Sequence, residues 1–350
     1  MTENKSHSAL TSISLLFLNI NSSLAEAKEM THKKVVKRVP QMTRRPRKKI
    51  DMDRREFLKL TAMSGLGLSA AGIDGLVPFA NASEKIDLAV AHGASPAMIT
   101  RAAIDTMGGI RRFISRGDVV VIKPNMGWDR LPEQAADTNP EVVATVVKLC
   151  FEAGARKVKV FDRPVNDPRR CYVQSGVAPA ASALGAEVNY VDERKFKEIK
   201  INGQALKSWP LYTEILEADK VINIPIAKHH GLSILTMAMK NWMGVMGGRR
   251  NSIHQRLDES LVDLALVIKP TLTILDAVRI LTANGPQGGD LKDVKKTDTV
   301  IVGIDQVAVD SYGATLFGMK GSDLGFVRMG DKAGLGTMDL SKLKIRKINV

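Results

Sequence analysis

Residues 118–123 read Asp-Val-Val-Val-Ile-Lys, an unbroken β-branched run bounded by charge. A strand apolar at every position, not at alternate ones, is buried on both faces, as in a parallel sheet covered by helices. The same signal recurs along the chain. Short apolar runs at 86–91, 157–161, 187–191, 220–224, 271–275 and 299–304 are separated by segments of helical period at 96–107, 140–153, 172–184 and 307–317, with a long helix inside 252–268. Asn139 and Gly154 stand where the 140–153 helix needs an N-cap and a stop, and Gly185 ends the next one. Residues 343–350 read as a terminal strand. Strand and helix in alternation predict an α/β fold with a largely parallel sheet flanked by helices. A small hairpin-like insertion near 195–203 turns at Asn202-Gly203. Residues 83–350 form a single α/β domain in this reading.

The formal net charge of +14 divides unevenly. Residues 1–82 hold 14 Lys and Arg against 7 Asp and Glu; the other residues hold 37 against 30. Half of the excess therefore lies in the first quarter of the chain. There Arg54-Arg55-Glu56-Phe57-Leu58-Lys59 resembles the twin-arginine export motif, with Asp53 where Ser or Thr is usual. A Gly- and Ala-rich apolar stretch follows, and Ala80-Asn81-Ala82 supplies the small-x-small pattern for cleavage after Ala82. Residues 52–82 therefore read as a signal peptide, residues 1–51 as a disordered or over-extended leader, and Met52 as the expected start. Asp74 and the glycines argue against a permanent membrane span. This reading implies the twin-arginine translocase and signal peptidase as partners and the periplasm as destination. It also disfavours nucleic acid as a target, because most of the basic clusters lie in the removed segment.

Ligands of open α/β sheets sit beyond the carboxyl ends of the strands. Those exits carry Lys123-Pro124-Asn125, Asp162-Arg163, Lys228-His229-His230, Asp276 and Asp305, which are expected to converge on one rim. Lys240-Asn241, then Gly247-Gly248-Arg249-Arg250 and His254, follow closely. Lys and Arg bind carboxylate or phosphate oxygens, Arg bidentately. Lys123, Lys228, Lys240 and Arg249 are the expected anion ligands, with Asn125 and Asn241 as neutral donors. Lys240 also lies in a Met-rich stretch where it has the option of snorkelling to solvent, and a Schiff-base role is a minor alternative. His229 and His254 are the candidates for proton transfer, the two adjacent histidines pointing to opposite faces if extended. Asp276, Asp305 and Asp310, with those histidines, are the candidates for a metal; Asp305 is equally placed to cap the 307–317 helix. Met237, Met239, Met243 and Met246 fit an apolar core better than a copper site.

Two cysteines, Cys150 and Cys171, exclude a self-contained iron–sulfur cluster or a four-cysteine zinc site, and leave one disulfide open. Low aromatic content, 5%, argues against a base-stacking surface. Residues 83–350 show no Walker loop, no strand-borne Gly-x-Gly-x-x-Gly, no Gly-x-Ser-x-Gly and no His-Glu-x-x-His.

Lys123-Pro124-Asn125, Asn139-Pro140, Lys228-His229-His230, Thr236, Lys240-Asn241, Gly244, Arg249, His254, Asp276, Gly285-Pro286 and Asp305 with Asp310 occur in an order that resembles the domain-of-unknown-function 362 family, over about residues 86–318. Some members of that family carry an added ferredoxin-like iron–sulfur segment, and this chain has no such cysteine run. The resemblance implies no established reaction. The expectation is an exported protein that holds an anionic small molecule or an unknown cofactor in a basic cleft. Its alternatives are a metal-assisted enzyme or redox accessory protein, and a non-catalytic periplasmic interaction protein.

Overall fold

A computed structural model describes residues 85–350. The Arg54, Arg55, Phe57 and Leu58 motif and the Ala82 cleavage site lie outside them. The main sheet has ten strands. Its path begins at the last strand, β12 (Ile345–Asn349), and runs through β1 (Leu88–His92), β11 (Val294–Gly303), β10 (Leu272–Leu281), β7 (Lys220–Ile224), β2 (Val119–Pro124), β3 (Lys157–Val160) and β4 (Glu187–Val188). Two more strands, β8 (Ile226–His230) and β9 (Ile234–Thr236), branch from β10. From β10 to β4 along the path every pairing is parallel, whereas β11 lies antiparallel between β1 and β10. The sheet is mixed, with mostly parallel strands.

Burial on both faces explains the unbroken apolar runs. Val120 and Ile122 point to one hydrophobic cluster and Val121 to the other; Ala89 and Ala91 alternate with Leu88 and Val90 in the same way. One face is covered by α1 (Pro96–Thr106), α2 (Pro140–Ala153), α3 (Pro168–Gln174) and α4 (Val177–Ser182). The other is covered by α6 (Leu257–Val267), α7 (Gln306–Thr315) and α8 (Gly325–Lys332), with the short α5 (Thr213–Glu217) at its margin. Asn139 caps α2 by accepting the Glu141 N–H, and Gly154 ends it in the left-handed region at φ 97°.

Four elements differ from the sequence expectation. The helix expected over 172–184 is broken into α3 and α4 by Gly176, whose φ of 73° no helix continues through. The segment after β7, expected as a loop, forms the hairpin β8–β9. The hairpin insertion is longer than expected and pairs β5 (Phe196–Lys200) with β6 (Ser208–Tyr212). Its turn is held by Asp263 of α6, which accepts the N–H groups of Gln204, Ala205 and Leu206 at 2.7–2.8 Å. The Met-rich stretch is a 3-10 turn, Lys240–Val245. Cys150 and Cys171 are buried free thiols.

Candidate functional site

The parallel strands β2, β3 and β7 deliver their carboxyl ends to one place, and the Lys240–Val245 turn packs across them. Lys123, at the end of β2, is wholly buried. Its Nζ lies 2.8 Å from Asp162 Oδ1, just past β3. It also donates to the Pro124 carbonyl at 2.8 Å and to Asn241 Oδ1 at 2.9 Å. Asp162 Oδ2 accepts the Met126 N–H at 2.7 Å, which fixes the carboxylate from its other side. Burial pushes the Lys123 ammonium below the usual lysine range, and the attraction of Asp162 opposes that. Asn241 clamps two strand ends together. Its Nδ2 donates to Lys123 O at 3.0 Å and to Asn223 Oδ1 at 2.8 Å, while its Oδ1 also accepts from Asn125 Nδ2 at 3.2 Å. Gly244 has no room for a side chain, since a Cβ there would meet Asp162 Oδ1 at 1.8 Å.

Above this floor opens a cavity of about 520 Å³. Its cationic lining includes Lys228, Lys240 and Arg250; Trp128, Met243 and Leu232 give it apolar walls. Lys228, on β8, donates to Asn125 Oδ1 at 3.3 Å and to the Ala136 carbonyl, and lies 5.8 Å from the centre of the Trp128 ring. Asp137 is buried nearby, its Oδ1 accepting the Trp128 N–H at 3.0 Å. Burial pushes the Asp137 carboxyl up and the Lys228 ammonium down, and their mutual attraction works against both shifts. Arg250 is spread over backbone oxygens, donating to the carbonyls of Arg163, Pro164 and Met243. Lys240 is 6% exposed and donates to Met243 Sδ at 3.2 Å.

The two histidines of the cavity are His230 and His254, stacked with ring centres 6.1 Å apart. His230 Nδ1 accepts the N–H groups of Leu232 and Ser233 at 3.0 and 3.3 Å. This places the proton of the neutral ring on Nε2. Burial, reinforced by Lys240 and Lys228, pushes His230 down to about 3. His254 Nδ1 lies 2.9 Å from the Asn251 carbonyl, an acceptor, so that nitrogen carries the proton and Nε2 is left to accept.

The structure therefore brings Lys123, Asn125, Lys228, Lys240, Asn241 and His254 to one cavity. Four expectations are corrected. His229 points away from it, because neighbours on a strand face opposite ways; its Nδ1 accepts the Gly285 N–H at 3.1 Å, and His230 takes the place in the cavity. Arg249 lies on the exposed turn and lines an adjoining depression, while Arg250 reaches the cavity. Asp305 is at the opposite end of the sheet, because β11 runs antiparallel to β10. There its Oδ1 caps α7 by accepting the Ala308 N–H at 3.0 Å, and its Oδ2 accepts the Thr337 N–H at 2.8 Å. Asp276 lies inside β10, not at its exit, and accepts the N–H groups of Asn139 at 2.7 Å and Val278 at 3.0 Å. Asp310 accepts the N–H groups of Ala238 at 2.6 Å and Met239 at 3.0 Å, fixing the approach to Lys240. Among the described residues no three His, Cys, Asp or Glu side chains are grouped to hold a metal ion.

Burial pushes Asp276 up to about 6 and Asp310 up to about 7, against the hydrogen bonds that favour their ionised forms. A carboxyl raised on folding contributes stability that is present below its ordinary value and lost as pH rises through the folded one. The loss falls between about pH 4 and pH 7 for these groups. Urea unfolding of wild type and Asp310→Asn checks it. The destabilisation caused by the variant is expected to shrink by about 1 kcal/mol or more between pH 5 and pH 8. A gap that widens with pH would show that the backbone hydrogen bonds outweigh desolvation.

A family model described as a domain of unknown function (DUF362) matches residues 120–315. A thylakoid-associated protein of Synechocystis sp. is 31% identical over 202 residues, which cover 55% of this chain and 62% of that protein. The chain thus spans less than two thirds of that relative's length. Among solved structures, the lactate racemase apoprotein from Thermoanaerobacterium thermosaccharolyticum superposes with a TM-score of 0.38 at 11% identity, over 60% of this chain and 55% of that one. A Thermotoga maritima protein gives 0.35 at 9% identity, over 68% and 57%.

Proposed function

We propose, for a chain that belongs to the domain-of-unknown-function 362 family, that it binds an anionic small molecule or cofactor in the basic cavity at the strand ends. One observation carries this reading: the cavity holds more buried positive charge than its carboxylates offset. Lys123 is matched by Asp162 and Lys228 is attracted to Asp137, but Arg250 lines the same space with no carboxylate ion pair of its own among the described residues. Buried cations without counter-charges are costly, and an anion relieves that cost. The apolar walls suit a ligand with an apolar body and an acidic head.

The export motif supports a second part of the reading. The chain is delivered to the periplasm by the twin-arginine translocase and cut by signal peptidase after Ala82. Among the described residues no helix is long and apolar enough to cross a membrane.

Native mass spectrometry of protein purified from the periplasm of an export-competent host tests both parts. The expected species begins at Ser83 and carries an acidic adduct released on denaturation. A species retaining Arg54 and Arg55 counts against export. For binding, a panel of aryl phosphates and aryl carboxylates is titrated calorimetrically. Arg250→Gln is expected to weaken the best ligand about tenfold, since a charge-assisted hydrogen bond is worth about 1.5–3 kcal/mol. Arg249→Ala, on the exposed turn, is expected to change affinity less than about twofold. Equal losses for Arg249 and Arg250 would move the site to the adjoining depression.

A further inference from the structure

We propose that Lys240 is an amine nucleophile that condenses with the carbonyl carbon of an oxo acid held in the cavity. The three cavity lysines are not equivalent. Lys123 is tied to a carboxylate and two oxygens, and Lys228 to two oxygens beside Asp137. Lys240 is also buried, but its Nζ donates to a thioether, a weak acceptor that holds an ammonium poorly. The charges that act on it are Lys228 from β8 and Arg250 from the 3-10 turn Arg250–Arg256, both repelling a proton. His230 of β8 and His254 of the same turn face the cavity with it, both held toward their neutral forms. A desolvated amine beside other cations is the arrangement that frees a lysine lone pair at neutral pH. Burial and these charges push Lys240 down to about 7. At pH 7 it then offers roughly a thousandfold more neutral amine than an ordinary lysine.

The step balances without any further reagent. The Nζ lone pair forms a bond to the carbonyl carbon, and the C=O π pair moves to oxygen. Protons pass from nitrogen to that oxygen, which leaves as water, and the carbon–nitrogen double bond closes. His254 Nε2, the acceptor on the cavity wall, takes a proton from the nitrogen and returns it to the departing oxygen, while the neutral His230 Nε2 donates only a hydrogen bond there. Arg250 and Lys228 supply the charge for the acid group of the substrate. This last point rests on the anion-binding reading; the reactivity of the amine does not.

Reductive trapping separates the two. The purified protein is incubated with pyruvate or with propanal, its neutral three-carbon counterpart, in the presence of cyanoborohydride, then digested and mapped by mass spectrometry. The expected result is that pyruvate adds to Lys240, as its own mass less one oxygen, at least about tenfold faster than to any exposed lysine. The rate should rise with pH through about 7, where exposed lysines have not begun to titrate. If propanal marks Lys240 preferentially and pyruvate does not, the oxo-acid assignment falls while the nucleophile stands, and the anion reading is decided by the calorimetry. If neither probe prefers Lys240, the nucleophile is overturned, and anion binding stands on the calorimetry alone.

Discussion

Asp162→Asn is expected to lower the free energy of unfolding by about 3–5 kcal/mol, because it leaves the Lys123 ammonium buried without its counter-charge. The two side chains are 1% and 3% exposed, so water cannot substitute for the lost carboxylate. For a domain of this size the melting temperature should fall by roughly 10 °C or more. Pairing the change with Lys123→Met removes the stranded charge and is expected to recover a large part of the loss. Urea unfolding of the two single variants and the double variant forms a closed cycle that isolates the pair. Near-zero coupling would mean that Lys123 is neutral in the folded protein and that Asp162 acts only as an acceptor for Met126.

Gly244→Ala is expected to be nearly as damaging, for a steric reason. The backbone there does not require glycine, as no positive φ is involved. The added methyl would come within 1.8 Å of Asp162 Oδ1 and 2.5 Å of Lys123 Nζ, so the ion pair itself must move. Overpacking alone costs about 1–3 kcal/mol, and a displaced buried pair adds to it. Asp162→Asn and Gly244→Ala spoil the same contact, so the double variant should fall short of the sum by more than about 1 kcal/mol. Strict additivity would show that the turn relaxes away without disturbing the pair. The same variants should weaken anion binding, since the turn that carries Gly244 also carries Lys240.

The α/β class was legible because Val119–Ile122 of β2 are apolar at every position, and only burial on both faces accounts for that. The capping residues of α2 were legible too, since Asn139 and Gly154 act through local geometry. What was not legible is strand direction. Nothing in an apolar run says which way it points, and β11 runs against its neighbours, which carries Asp305 to the far end of the sheet. Strand length misled at Asp276, because β10 continues through Val278, Ile280 and Leu281, which are apolar enough to be core and not loop. The choice between His229 and His230, and between Arg249 and Arg250, depends on the hairpin register and on the last turn before α6. Adjacent residues of one chemical type offer no local signal for that choice. Arg250 is used as much to bind backbone oxygens as to face the cavity, a role that sequence pattern does not mark.

The edge of the main sheet has a consequence for how the molecule is made. β12 lies parallel beside β1, Leu88 opposite Ile345 and His92 opposite Asn349, so one of the earliest strands described is completed by the last one. Until those residues leave the ribosome, the outer rim of β1 is a row of unpaired backbone groups, the kind that recruits other chains. Contacts this far apart in sequence also form slowly. A chain stopped short of Ile345 should therefore associate with other copies through that rim.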